Sequence, residues 1–319
     1  MNPIKVAASI LVCIWCFGAA TGCSRSPQQV SGKLQVVTSL FPVYDFARTI
    51  AGDYAEVSLL LPPGVEPHNF EPKPDDVVRI GRARLFVYTN RYMEPWATAV
   101  IKGVGSPSLQ VVDAGQDIDY RGVADDDDHG EAAHGHEQGH AGRDPHIWLD
   151  FDNASRMVDS ILAGFLSVDP SHGDGYRRNA VNLKSQLNRL DQRYRDGLAH
   201  CNSRVLVHGG HYAFGYLARR YGLQYHALSG VSSESEPTAA RMAAMVRQIK
   251  QAGVHYLFAE ELLSPRLTET VAAETGAVVL HLHAAHNLGQ DDFKRGVTFI
   301  SLMEENLGQL QKGLACRTN

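Results

Sequence analysis

Apolar positions fall into short runs that alternate with stretches of three-and-four spacing. Leu34–Thr38 is a β-rich run, followed by a helical stretch from Pro42 that stops at Gly52. Glu56–Leu61 reads as a second strand, broken by Pro62-Pro63-Gly64. A helix opens near Pro74-Asp75-Asp76, where Pro in the first turn and early acids suit the positive end of the helix dipole. Arg84–Tyr88 and Leu109–Asp113 are further strands with a helix between them. The alternation resumes with strands at Arg204–Val207, Leu223–Leu228, Val254–Phe258 and Ala277–Leu282, and helices over 211–221, 237–252 and 265–275. The last helix has Ser264 to cap it, Pro265 in its first turn and Gly276 at its stop. Strand–helix alternation predicts mostly parallel sheets with helices on their faces.

Between the two series lies Tyr176–Cys201, almost without Gly or Pro. Ala180, Leu183, Leu187, Leu190, Tyr194 and Leu198 form one apolar stripe of a long amphipathic helix. The expected fold is therefore α/β, with two lobes that each hold a mostly parallel sheet flanked by helices, joined by a long rigid helix. The lobes are 34–172 and 202–319, and the connector is 173–201. A site would sit in the cleft between them, on loops at the carboxyl ends of strands.

Val6–Ala20 is an apolar run of fifteen residues behind Lys5, too short to span a membrane and suited to a secretory signal over 1–22. Ala20-Thr21-Gly22-Cys23 resembles a bacterial lipoprotein cleavage site, which would make Cys23 the lipidated first residue; ordinary cleavage would leave it a free thiol. Residues 23–33 read as a tether, and no later segment is apolar and long enough to cross a membrane.

Thirty Lys and Arg stand against thirty-five Asp and Glu in 319 residues, a balance that excludes a nucleic-acid partner. An apolar share of 44% excludes wholesale disorder. Of five cysteines, Cys13 and Cys16 leave with the signal and Cys23 is the anchor. Cys201 and Cys316 remain, and two thiols in an exported protein pair, so a disulfide is expected to tie the C-terminal tail to its lobe.

Fifteen histidines call for an explanation. His68 sits in the proline-rich loop Pro62–Pro72, and His146 in Asp144-Pro-His-Ile-Trp-Leu-Asp150. His211 follows the strand ending at Val207, and His283 follows the strand closing at Leu282. Four histidines thus follow strand ends or rigid turns, two in each lobe. Zinc favours four-coordinate sites, and imidazole nitrogen is a good borderline ligand for it.

Pro67-His68, Asp144-Pro-His-Ile-Trp-Leu149, His211-Tyr-Ala-Phe-Gly-Tyr216 with Tyr221-Gly-Leu223, and Glu274-Thr-Gly-Ala277 occur in one order. Over about residues 34 to 312 the chain resembles the zinc/manganese ABC-transporter substrate-binding proteins. The resemblance implies two lobes on a long helix, one Zn2+ carried as cargo in the cleft, delivery to a membrane permease, and no catalysis. His68, His146 and His211 fall on the family's three recurrent ligands. Manganese-type relatives place an acid at the position of His211, so histidine there favours zinc. The fourth ligand is expected to be His283. His281, His286, Glu66 or a water are the alternatives, and His281 and His283 would share one face of a strand.

Asp125–Asp128 and then His129, His134, His136 and His140 form a low-complexity stretch over 125–141 that cannot pack a core. It is either an auxiliary zinc-binding loop or a solvated insertion. His172, His200, His226 and His255 are expected to be structural or exposed. His208 is expected to hydrogen-bond behind the ligands; Glu260 and Glu261 follow a strand and could face the cleft, but a solvated or capping role is expected of them. The expected protein is an exported monomer at the periplasm or cell surface, membrane-bound only through its lipid. A manganese- or iron-binding relative, a surface adhesin and a metallohydrolase are the other readings; the last lacks a His-Glu-x-x-His motif. From the ordinary imidazole value of roughly 6.5, zinc is expected to leave below about pH 6.

Overall fold

The computed structural model describes residues 32–122, 142–231, 237–260 and 266–317. The signal segment, Cys23, the stretch 125–141 with its four histidines, Glu261, and the cap Ser264 with Pro265 lie outside the described residues.

The first series runs β1 (Leu34–Thr38), α1 (Phe41–Ala51), β2 (Ala55–Leu59), α2 (Pro74–Arg82), β3 (Leu85–Tyr88), α3 (Ala97–Val104) and β4 (Gln110–Asp113). Its four strands lie in the order β2-β1-β3-β4 and pair in parallel throughout, with Val36 between Val57 and Leu85. The turn Ile147–Leu149, α4 (Phe151–Val168) and α5 (Gly173–Leu198) follow. The second series is β5 (Val205–His208), α6 (Gly215–Arg220), β6 (Gln224–Ala227), α7 (Ala239–Ala252), β7 (Tyr256–Ala259), α8 (Arg266–Thr275) and β8 (Val278–His281). Its order, β6-β5-β7-β8, repeats the first sheet and is again parallel. The helices α9 (Gln290–Arg295) and α10 (Phe299–Gly313) complete the chain.

In both sheets the chain reverses its direction of travel between the first and third strands. This switch point opens a crevice at the carboxyl ends of the strands. The loops after β5 and β7 leave from it, and they carry His211 and Glu260.

The connecting helix α5 buries the stripe read from the sequence, Tyr176, Ala180, Leu183, Leu187, Leu190, Tyr194 and Leu198. Two long helices were not foreseen. The first, α4, starts because the Asp150 carboxylate accepts the amides of Asp152 and Asn153, and it buries Ala154, Met157, Val158, Ile161 and Phe165. The second, α10, starts where the Thr298 hydroxyl accepts the amide of Ser301. The helix after β5 begins at Gly215, not at 211, because the backbone at 210–212 is held by the chain after β6. Tyr212 N–H donates to Gly230 O and Ser229 N–H to Gly210 O.

The largest apolar cluster runs through both halves, from Val36 and Phe46 to Phe299 and Leu310. A buried carboxylate reinforces the joint: Asp45 of α1 accepts the Phe299 amide at 2.9 Å and pairs with Arg48 at 2.7 Å. Arg220 ties α6 to Asp191 of α5 and to Asp150 and Asp152 at the start of α4. Cys201 and Cys316 form the expected disulfide, flanked by Asn202 N–H to Ala315 O and Arg317 N–H to His200 O. No helix among the described residues is long and apolar enough to cross a membrane.

Candidate metal centre

Each element delivers its histidine for a local reason. His68 rides the proline-rich loop after β2, where its amide donates to Glu66 and a turn closes from Phe70 N–H to Pro67 O. His146 is fully buried just ahead of the turn Ile147–Leu149, and its amide donates to the Asp144 carboxylate at 3.0 Å. His211 follows His208-Gly209-Gly210. A Cβ at Gly209 would lie 2.3 Å from Thr268 Oγ1, and one at Gly210 2.5 Å from Glu260 Oε2. Two glycines therefore let this loop press against the loops after β7 and into α8. His286 comes in after β8 through Ala285, a non-glycine residue at φ 59° in the left-handed region.

These four imidazoles meet. Each offers a ring nitrogen, and the four nitrogens lie within 4.8 Å of one another. The His146 and His211 Nε2 atoms are 3.3 Å apart. A tetrahedral zinc with nitrogen ligands at about 2.0–2.1 Å needs its ligand atoms about 3.3–3.4 Å from each other. Behind those two rings stand carboxylates: Asp144 Oδ1 is 2.7 Å from His146 Nδ1, and Glu260 Oε2 is 2.7 Å from His211 Nδ1. The Nε2 atoms of His68 and His286 are buried and have no hydrogen-bond partner, an arrangement that costs free energy unless a cation fills the space.

Burial, aided by the neighbouring His211, pushes His68 down to about 3, and burial with repulsion among the rings holds His146 and His286 well below the usual imidazole range. The cage is thus poised as neutral lone pairs. Zinc loss near pH 6 rested on the ordinary imidazole value, and this burial moves ring protonation to lower pH. Burial also raises Asp144 to about 7, a shift that a divalent ion in the cage would oppose.

His283, expected as the fourth member, is not in the group. Its Nδ1 accepts the Ala285 amide at 2.9 Å, and its backbone is clasped at both ends by Asn306 of α10. His281 ends β8 and is exposed, and Glu66 also lies outside the cluster. Strand alternation extrapolated past Leu282 could not show that the chain turns at Ala285 and brings His286 inward. Glu260 is likewise different from its expected solvated or capping role, being buried against His211. His208 is buried with Nδ1 3.2 Å from His211 O, behind the cluster as expected.

Carboxylates that hold the far nitrogen of a ligating imidazole fix its tautomer and strengthen it as a donor. Glu260→Gln and Asp144→Asn are each expected to weaken zinc binding by about 10–100-fold in competition titrations. Unchanged affinity in both would remove this role from the two carboxylates.

Known proteins are similar to this chain in sequence and fold. The high-affinity zinc uptake system protein ZnuA of Bacillus subtilis is 33% identical over 319 residues, covering 98% of this chain and 99% of that one. The zinc-binding lipoprotein AdcA of Streptococcus pneumoniae is 34% identical over 308 residues, 95% of this chain but 60% of that protein, so the chain spans less than two thirds of AdcA. The crystal structure of the Zn(II)-bound ZnuA-like domain of that AdcA superposes with a TM-score of 0.74 at 33% identity, covering 89% of this chain and 99% of the domain. The family model described as ZnuA, zinc-uptake complex component A periplasmic, matches residues 36–313, and the chain belongs to that family.

Proposed function

We propose that this protein captures one Zn2+ outside the cytoplasm through His68, His146, His211 and His286 and hands it to the permease of an ABC transporter for uptake. The observation that carries the reading is the buried set of four imidazoles, with the His146–His211 Nε2 separation at the edge length of a tetrahedral zinc site. An all-nitrogen cage lacks the oxygen donors that manganese prefers. The family is one of non-enzymatic metal-binding transport proteins, so the ion is cargo and not a catalyst. Lobes 34–172 and 202–319 form the two walls of the site, and 173–201 is their strut. The mature protein is a monomer tethered by a lipid on Cys23, and His129, His134, His136 and His140 form a weaker auxiliary zinc store.

Metal analysis with competitive titration of the mature protein tests this. One tightly held zinc, not displaced by manganese, is expected; equal affinity for manganese would overturn the assignment of cargo.

The sign of the pH effect follows from the same burial. An unfolded chain takes up protons on its imidazoles near pH 6.5, while the folded cage refuses them. The stability that these neutral rings contribute to the metal-free fold is therefore complete above pH 6.5. It falls below that value, by up to about 1.4 kcal/mol per pH unit from His68 alone. Asp144 and Glu94, both raised to about 7 by burial, act in the opposite direction over the same window, so the effect is read against His68→Ala: from pH 6.5 to pH 4 the melting temperature of the metal-free wild type is expected to fall relative to that of the variant. A constant difference between the two proteins over that window would contradict a buried, neutral His68.

A further inference from the structure

The segment that carries His286 belongs by sequence to the second half of the chain, yet from Ala284 onward it is hydrogen-bonded to the first. Trp148 Nε1–H donates to Ala284 O at 2.8 Å, the Phe41 amide to His286 O at 3.2 Å, and the Gly64 amide to Leu288 O at 2.7 Å. The side chain of Asn287 completes the strap. Its amide nitrogen donates to Pro62 O at 2.8 Å and to Val65 O at 2.9 Å, both on the loop that carries His68. Its oxygen accepts the Leu288 amide at 2.9 Å. The side chain is fully buried, and each polar atom is engaged.

We propose that Asn287 is a positioning residue for the metal site: it clasps the loop after β8 to the proline-rich loop after β2, so that His286 and His68 are held as one unit. The inference rests on the zinc-site reading above. Two loops from opposite ends of the chain otherwise meet here with little regular structure to fix them. A loop five residues beyond a strand end would leave its imidazole free to shift by more than the tolerance of a four-coordinate site, which is about half an ångström. Buried amide donors to two carbonyls are directional and costly to leave unmade, so they fix the register of one loop on the other. The fixed unit holds the two histidines whose Nε2 atoms are buried without a hydrogen-bond partner.

Asn287→Asp is the sharp probe, since it keeps the oxygen that accepts the Leu288 amide and removes both donors without changing size. In the full mature protein its zinc affinity is expected to fall by about 10-fold or more. Co2+ loaded in place of zinc is expected to lose the intense visible bands of a tetrahedral site. A role confined to stability would lower the melting temperature of the metal-free protein and leave the Co2+ spectrum as in the wild type, and that result would overturn the proposal. Should Asn287→Asp fail to fold, Asn287→Ala is read by the same two measurements with the same expectations. Failure of the wild type to bind zinc would sink the zinc-site reading itself. A wild type that binds, beside a variant with unchanged affinity and spectrum, would sink only the role of Asn287.

Discussion

Replacement of His286 by alanine is expected to weaken zinc binding by more than about 100-fold, whereas His283→Ala leaves it close to wild type. Loss of a group that merely supports a ligand costs about 10–100-fold, and loss of the ligand itself costs more. His286 is 2% exposed, with its ring centroid 4.9 Å from that of His146, 5.1 Å from His211 and 5.5 Å from His68. Three imidazoles would remain in a buried space shaped for four, and a water would have to enter a cavity walled by Trp148 and the other rings. The pairing with His283 makes the test specific. Both histidines lie on the same short segment, and both substitutions remove an imidazole of equal size. His283 spends its Nδ1 on the Ala285 amide and its backbone on Asn306, so its loss is expected to cost some order in the segment and little affinity. Equal loss in the two variants would mean that the segment, and not the His286 nitrogen, is what zinc binding requires. A larger loss in His283→Ala would restore His283 as the fourth ligand.

That contrast shows which parts of the molecule were legible in the sequence. The parallel sheets and the long connector were readable because each rests on local periodicity: β-rich runs, glycine stops, and the stripe from Ala180 to Leu198. His68, His146 and His211 lay in motifs whose prolines and glycines restrict the backbone nearby, and a family resemblance marked all three. The fourth member of the cluster was legible only as one of several alternatives, because its direction is set by a left-handed alanine and by bonds from Asn287 and Phe41 across the two halves. Glu260 was legible only as a residue that could face the cleft, for the same reason. A carboxylate after a strand looks solvated until β7 is known to lie beside β5, which brings it 2.7 Å from His211. Helices α4 and α10 carry local signals, Asp150 as a cap and Thr298 as a cap, but neither lies between two strands, so the strand–helix alternation does not mark them.

Reduction of the Cys201–Cys316 bond, or replacement of both cysteines by serine, is expected to lower stability by about 4–5 kcal/mol while leaving one zinc bound per chain. The bond spans 115 residues of sequence, and chain entropy alone assigns a loop of about 100 residues roughly 4.7 kcal/mol. The closed loop contains the whole second sheet, so the cross-link restricts the unfolded chain over every strand and over the loops that carry His211, Glu260 and His286. In a domain of this size about 1 kcal/mol moves the melting temperature by about 2–4 °C, so a fall of about 10–15 °C is expected. The native fold does not need the bond for its geometry. The ends are already paired by Asn202 N–H to Ala315 O and by Arg317 N–H to His200 O. Beyond them Tyr194 Oη–H donates to Met303 O at 2.6 Å, joining α5 to α10. Zinc stoichiometry should therefore persist in the serine variant at temperatures below its transition, and zinc itself should recover part of the lost stability by binding only the folded state. A serine variant that melts with the wild type would show that the unfolded chain gains little freedom when the bond is cut. One that stays folded but loses zinc would show that the C-terminal tail acts on the cage through α10, with Asn306 and its grip on His283 as the first place to look.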